Sequence, residues 1–154
     1  MELKLGDFGL ATHLDFDGER KRTVCGTPNY IAPEIIDGGD RGHSFEVDIW
    51  SLGVIVYTLL VGRPPFETND VKATYKRIKL NQYTFPDGGY ISANAKDLIK
   101  KILVTEPEKR LTLEEILAHD FLLNQELLPT TLPTSTLVVP PNGSYQRNFG
   151  SSRK

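Results

Sequence analysis

Gly6-Asp7-Phe8-Gly9 and, further on, Gly26-Thr27-Pro28-Asn29-Tyr30-Ile31-Ala32-Pro33-Glu34 bracket the stretch that decides how this chain reads. Glycines on either side of Asp7-Phe8 permit a tight turn. Asp7 places a carboxylate at that turn. Taken alone it is ordinary turn chemistry. Residues 11–22, between the two motifs, are polar and charged, with Asp17-Gly18 as a turn signal, and read as a mobile loop. Pro33 suits the first position of a short helix, which Asp37-Gly38-Gly39-Asp40 then breaks.

Upstream, Leu3-Lys4-Leu5 alternates apolar and polar, which predicts a short strand running into the turn at Asp7. Downstream, Ser44 is placed to cap a helix over 44–61, with Glu46 and Asp48 at the positive end of its dipole. Ile49 to Val61 is apolar nearly all round, which predicts a buried helix, the central post of the domain. Gly62 ends it and Pro64-Pro65 prevents its continuation. Val71, Tyr75 and Ile78 recur at helical spacing within an amphipathic helix over 69–80. Pro86-Asp87-Gly88-Gly89 reads as a turn. Ser92 caps a helix whose stripe is Ala95, Leu98, Ile99, Ile102 and Leu103. Thr112 with Glu115 is a capping box and Leu111 with Ile116 a hydrophobic staple, for a last helix reaching about Phe121.

From Leu128 the composition shifts to proline, threonine, serine and asparagine. Residues 122–154 therefore read as a linker or tail, mostly disordered, in which Leu137-Val138-Val139 is a small apolar patch suited to docking on the domain. No internal repeat is present.

A chain of 154 residues, 39% hydrophobic and 25% charged, is long enough for one globular domain with a core. A net charge of -2 argues against a nucleic-acid or membrane-surface binder. The single cysteine, Cys25, excludes an intrachain disulfide and suits a reducing, intracellular setting. Its place after the basic Arg20-Lys21-Arg22 lowers a thiol pKa in principle; a packed, inert thiol is the alternative. His13, His43 and His119 show no ligand spacing, so no structural metal is expected. The longest apolar run, Ile49 to Val61, is 13 residues, short of the roughly 20 that span a bilayer.

Taken together, the two motifs, in this order, resemble the segment of a protein kinase that runs from its magnesium ligand to its substrate groove. The resemblance covers Leu3 to about Phe121. It is most specific to the polo-like serine/threonine kinases, through residues 17–34, through Gly42-His43-Ser44-Phe45-Glu46-Val47-Asp48-Ile49-Trp50-Ser51-Leu52-Gly53, and through Tyr57 to Thr68. The tail, with Leu132-Pro133 and Leu137 to Pro141, also resembles the segment after the kinase domain in that family, where phosphopeptide-binding polo-box domains come next. The implied fold is mainly α: an incomplete kinase-like fold, the helical C-terminal lobe with a short strand at its start, from a parent fold that is α+β. Residues 1–121 would be that lobe, with residues 7–34 its activation segment.

The resemblance implies a role for each matching residue. Asp7 would hold magnesium on the phosphates of ATP, Phe8 would pack beneath the site and Gly9 would permit the turn. Thr23 would be the activation-loop phosphosite, with Arg20, Lys21 and Arg22 addressing a basophilic upstream kinase; a solvated basic loop is the bland reading. Gly26, Thr27 and Pro28 would shape the substrate groove, Thr27 helping to orient the substrate. Glu34 and Arg110, 76 positions apart, would form a buried ion pair tying the segment to the helical lobe; two unrelated surface charges are the alternative. Asp48 resembles the residue that binds the backbone of the catalytic loop, and with no such loop in the sequence it would serve as a helix-start charge. Trp50 is a packing residue on either reading.

No Gly-x-Gly-x-x-Gly precedes Asp7, and His-Arg-Asp does not occur. No residue can be assigned as the base that accepts the substrate proton. The chain on its own is therefore expected to transfer no phosphate and, since the central helix loses one side of its packing, to expose apolar surface. Its start resembles the interior of a kinase strand, as in a fragment. The leading expectation is a fragment of an ATP- and magnesium-dependent kinase, monomeric, acting on protein serine and threonine in mitosis. The resemblance places it in nucleus, cytoplasm and centrosome or spindle pole. The alternatives are a non-catalytic module that binds substrates or regulators, another kinase family, and a product with no function.

Overall fold

A computed structural model describes residues 4–38, 42–87 and 91–123. Helix α2, Glu46–Val61, is the element on which the others pack. Its buried face carries Trp50, Gly53, Val54 and Tyr57. Helix α1, Pro33–Asp37, brings Ile35 and the preceding Ile31 and Ala32 into the same core. Helix α3, Val71–Lys79, adds Ile78, and α4, Ala93–Ile102, adds Ile99, with Leu103 just beyond. Aromatic rings fill the space between them: Trp50 stacks on Phe66 with centroids 5.5 Å apart, and Tyr83 meets Tyr57, Phe66 and Phe85. A second cluster joins Leu98 and Ile102 to Ile116, from α5, Leu113–Leu117, with Phe121 and Leu122 of α6, Asp120–Leu123, against it. A 3-10 turn at Pro107–Lys109 links α4 to α5.

Side-chain chemistry sets most helix boundaries. Gly38 and Gly62 end α1 and α2 at φ of 57° and 87°, a left-handed conformation that glycine adopts without a Cβ clash. Ser92 accepts from the Ala95 N–H at 3.1 Å to start α4. At α5, Thr112 accepts from the Glu115 N–H at 3.2 Å while the Glu115 carboxylate accepts from the Thr112 N–H at 2.8 Å. Helix α3 is capped by Asp70, whose carboxylate accepts from the Ala73 N–H at 2.8 Å, one residue inside the expected start.

Three local expectations are corrected. Ser44 does not cap α2: the backbone is already helical at Phe45 (φ -54°, ψ -25°), and Ser44 instead accepts through its carbonyl from the Val47 N–H. Helix α2 is not buried all round, for Ile55 is 44% and Leu59 78% exposed. Helix α4 covers the face of α2 at Gly53, where an added Cβ would stand 2.5 Å from Ile102 Cγ2, and no described element buries Ile55 and Leu59. The expected strand at the start is also not found among the described residues: Lys4 and Leu5 are exposed and in no strand, and Leu3 lies outside that set. A strand is held by a neighbour's backbone groups, and the one bridge among the described residues joins Lys21 to His43 instead.

Residues 7–123 form one compact unit. The tail from Asn124, including Leu137-Val138-Val139, lies outside the described residues, as do residues 39–41 and 88–90 of the two expected breaks.

Candidate functional site

The segment from Asp7 to Glu34 begins exposed and ends buried. Asp7 has a left-handed backbone, φ 62°, a conformation Asp tolerates better than most residues, and its Oδ1 lies toward Gly9. The Phe8 carbonyl accepts from the Ala11 N–H at 3.0 Å, closing the turn after it. Phe8 itself is 70% exposed, which corrects the expectation that it packs beneath the site.

Next comes a turn over 16–19 in which the Glu19 N–H donates to the Phe16 carbonyl and Gly18 takes φ 83°. The Glu19 carboxylate receives the Lys21 ammonium and the Asp15 N–H, both at 2.5 Å, and the two together, the ammonium foremost, hold its pKa below the usual carboxylate range. Thr23 is exposed; its carbonyl accepts from the His43 ring at 2.9 Å, so Nε2 carries the proton. Cys25 is a half-buried free thiol.

Gly26, Thr27 and Pro28 form a loop closed by the Tyr30 N–H donating to the Thr27 carbonyl at 2.9 Å. Gly26 adopts φ 133°, strained for any residue with a side chain. The loop is fixed from below. Ser51 of α2 donates to the Tyr30 carbonyl at 3.0 Å, and Asn29 reaches Glu67 at 3.5 Å, whose carbonyl accepts from Arg77 at 3.2 Å.

The segment then enters the core, where Arg110 receives it. The Glu34 carboxylate takes two parallel bonds from the Arg110 guanidinium, both 2.7 Å. Arg110 also donates to the carbonyls of Glu46 and Val104 at 2.8 Å and of Thr105 at 3.2 Å. Its side chain is 1% exposed, and its guanidinium lies 5.0 Å from the Trp50 ring centroid. Every donor direction of this buried cation is thus used, which is what makes burying it tolerable.

Of the residues singled out from sequence, the structure brings Glu34, Arg110 and Trp50 into one cluster. Asp48 stands exposed on the first turn of α2, a helix-start charge. Asp7, Thr23 and Thr27 are exposed points along the same segment. Sequence reasoning assigned no part to Gly42, His43, Ser51 or Asn29. Only the glycine carried a hint, since an isolated glycine often marks a close backbone approach. Among the described residues no group of three or more His, Cys, Asp or Glu gathers to hold a metal, and no helix is long and apolar enough to cross a membrane.

This fold and segment define the helical side of a protein kinase. Residues 1–122 match the protein kinase domain family, and the chain belongs to it. It is 62% identical over 151 residues to a probable serine/threonine-protein kinase CCRP1 of Zea mays, covering 98% of this chain and 24% of that protein. It is 56% identical over 144 residues to the serine/threonine-protein kinase PLK1 of Xenopus tropicalis, covering 94% and 23%. A probable cell cycle serine/threonine-protein kinase CDC5 homolog of Encephalitozoon cuniculi is 59% identical over 124 residues, covering 80% and 26%. These names agree with the polo-like resemblance. The chain spans about a quarter of the length of these curated relatives.

Proposed function

We propose that these residues are the helical, substrate-side part of an ATP-dependent, polo-like protein serine/threonine kinase. Residues 1–121 are the lobe, 7–34 its activation segment and 122–154 a linker. The observation that carries this reading is the Glu34–Arg110 pair. It seats the end of the segment in the core, so that the Gly26-Thr27-Pro28 loop is presented from a fixed base. A loop so anchored can position a protein hydroxyl, and positioning is most of what phosphoryl transfer asks of this side of the enzyme.

Asp7 fits the magnesium of such an enzyme. It offers one exposed carboxylate at a turn, and magnesium usually takes one or two carboxylates, its remaining ligands being water and substrate phosphate. The ion, when bound with ATP, neutralises charge on the phosphates. Gly26 and Pro28 shape the groove and Thr27 orients the acceptor. Thr23 is the site at which an upstream kinase acts, and Asp48 and Trp50 support the lobe from α2. The proton of the acceptor hydroxyl finds no base among these residues, so the 154 residues alone transfer nothing. The whole protein acts as a monomer on protein substrates during the cell cycle, inside the cell at nucleus, cytoplasm and spindle pole, and takes no nucleic acid.

A second reading, a non-catalytic module that holds substrates or regulators, is favoured by one fact: residues 7–123 have a buried core of their own. Radiolabel transfer from ATP to casein separates the two. The full-length protein is expected to label casein and its Asp7→Asn variant to lose at least about a hundredfold, the loss typical of removing one electrostatic stabiliser. Full activity in that variant would overturn the role of Asp7, and an inactive full-length protein would leave the binding module.

A further inference from the structure

Two residues of the basic address ahead of Thr23, Arg20 and Lys21, are bonded to the start of α2, while Arg20 and Arg22 keep exposed surface. The Lys21 N–H donates to the His43 carbonyl and the His43 N–H to the Lys21 carbonyl, both at 2.8 Å, in an antiparallel bridge. Each guanidinium nitrogen of Arg20 makes one bond to the same segment: Nε and Nη2 donate to the Gly42 carbonyl at 3.3 and 3.2 Å, and Nη1 to Glu46 at 3.4 Å. The Lys21 ammonium is on Glu19, and the Thr23 carbonyl is on the His43 ring. Gly42 makes the approach possible. At φ 63° it lies so close that a Cβ would stand 2.7 Å from the Lys21 carbonyl oxygen and 3.0 Å from Arg20 Cβ.

We propose that Gly42–Glu46 is a latch that withholds this address. An arginine-directed kinase can then phosphorylate Thr23 only after Arg20 and Lys21 have been released from it. The proposal rests on the reading of Thr23 as a phosphoacceptor. Its physical ground is competition. A kinase that reads arginine does so with carboxylates that need the guanidinium donors, and three of the five donors of Arg20 are already engaged. A peptide read in extended form must also free its backbone groups, and those of Lys21 are paired. Thr23 is exposed, so what the latch restrains is the backbone and the Arg20 side chain beside it rather than access to the residue.

In the reaction that reports on the latch, Thr23 Oγ bonds to the γ-phosphorus of ATP as the bond to the β,γ-bridging oxygen breaks. ADP leaves, and the hydroxyl proton passes to the base of the kinase added as reagent. The test labels Thr23 with a purified arginine-directed serine/threonine kinase and radiolabelled ATP. The substrates are the 154-residue chain, its Gly42→Ala variant, and a synthetic peptide of residues 17–30. The wild-type chain is expected to label on the order of tenfold more slowly than Gly42→Ala, the factor that one or two lost hydrogen bonds supply. A variant that merely misfolds would give the same acceleration, so a second variant works in the other direction. Directly paired antiparallel residues stand about 5.5 Å apart at Cα, within disulfide range. In a Cys25→Ser background, Lys21→Cys with His43→Cys is therefore expected to label about tenfold more slowly oxidised than reduced. If the peptide is labelled but the wild-type chain, Gly42→Ala and both redox forms all react at its rate, the latch is overturned and Thr23 keeps its role. If the peptide itself is not labelled at Thr23, the phosphoacceptor reading falls and the latch falls with it.

Discussion

Trp50 and Phe8 are both large aromatic residues close in sequence to an aspartate, yet Trp50 is fully buried and Phe8 is 70% exposed. Trp50 stacks on Phe66 and carries a guanidinium near its face. Phe8 lies in a stretch held by a single turn hydrogen bond. The contrast extends to the two regions around them. From Ile31 onward, apolar burial holds the chain. From Asp7 to Val24, single hydrogen bonds and exposed or half-buried ion pairs do, and these contribute little each. The same sequence therefore contains a region whose conformation is set by its core and a region whose conformation is set by a few polar contacts, with Leu10, Phe16 and Val24 left exposed.

The largest expected effect breaks the core side of this comparison. Arg110→Ala leaves the Glu34 carboxylate without its partner in a pocket where it is almost buried, and is expected to cost about 3–5 kcal/mol. Calorimetry on the 154-residue chain should show a large drop in Tm, and an unchanged melt would mean that the pair holds nothing. A smaller effect sharpens the comparison inside the core. Gly53→Ala drives a methyl to 2.5 Å from Ile102 and 2.9 Å from Leu103, and overpacking of this kind costs about 1–3 kcal/mol. A neutral result in urea titration would show that α2 and α4 separate easily. The smallest effect tests the other region. Phe8→Ala is expected to change stability by no more than about 0.5 kcal/mol. A loss comparable to that of the core variants would mean that Phe8 has packing partners after all.

How much could be read from the sequence depends on the range of the interactions. Local rules reach a few residues, and they place the Ser92 cap and the Thr112–Glu115 box where the structure has them. They misplace Ser44, because a cap is decided by the backbone angle at the next residue, and Phe45 is already helical. No local rule links residues 76 positions apart; the pairing of Glu34 with Arg110 comes from the family resemblance, and in the structure the two meet at 2.7 Å. Periodicity marks α2 as apolar but cannot say which neighbours arrive to cover it, so the exposure of Leu59 is invisible to it. Gly42, His43 and Ser51 escape for the same reason. Each matters through a backbone carbonyl, its own or a distant one, and a carbonyl leaves no mark in sequence.

Arg110 also has a mechanical meaning. One planar, buried cation is bolted to four points of the chain: the Glu34 carboxylate and the backbone at Glu46, Val104 and Thr105. Such a joint transmits displacement without bending. Any pull on α1 is felt at once at the start of α2, while residues 8–19 can swing without loading it. The boundary of the fixed part therefore falls ahead of Arg20, because Arg20, Lys21 and Thr23 are bonded to Gly42, His43 and Glu46, and Tyr30 to Ser51.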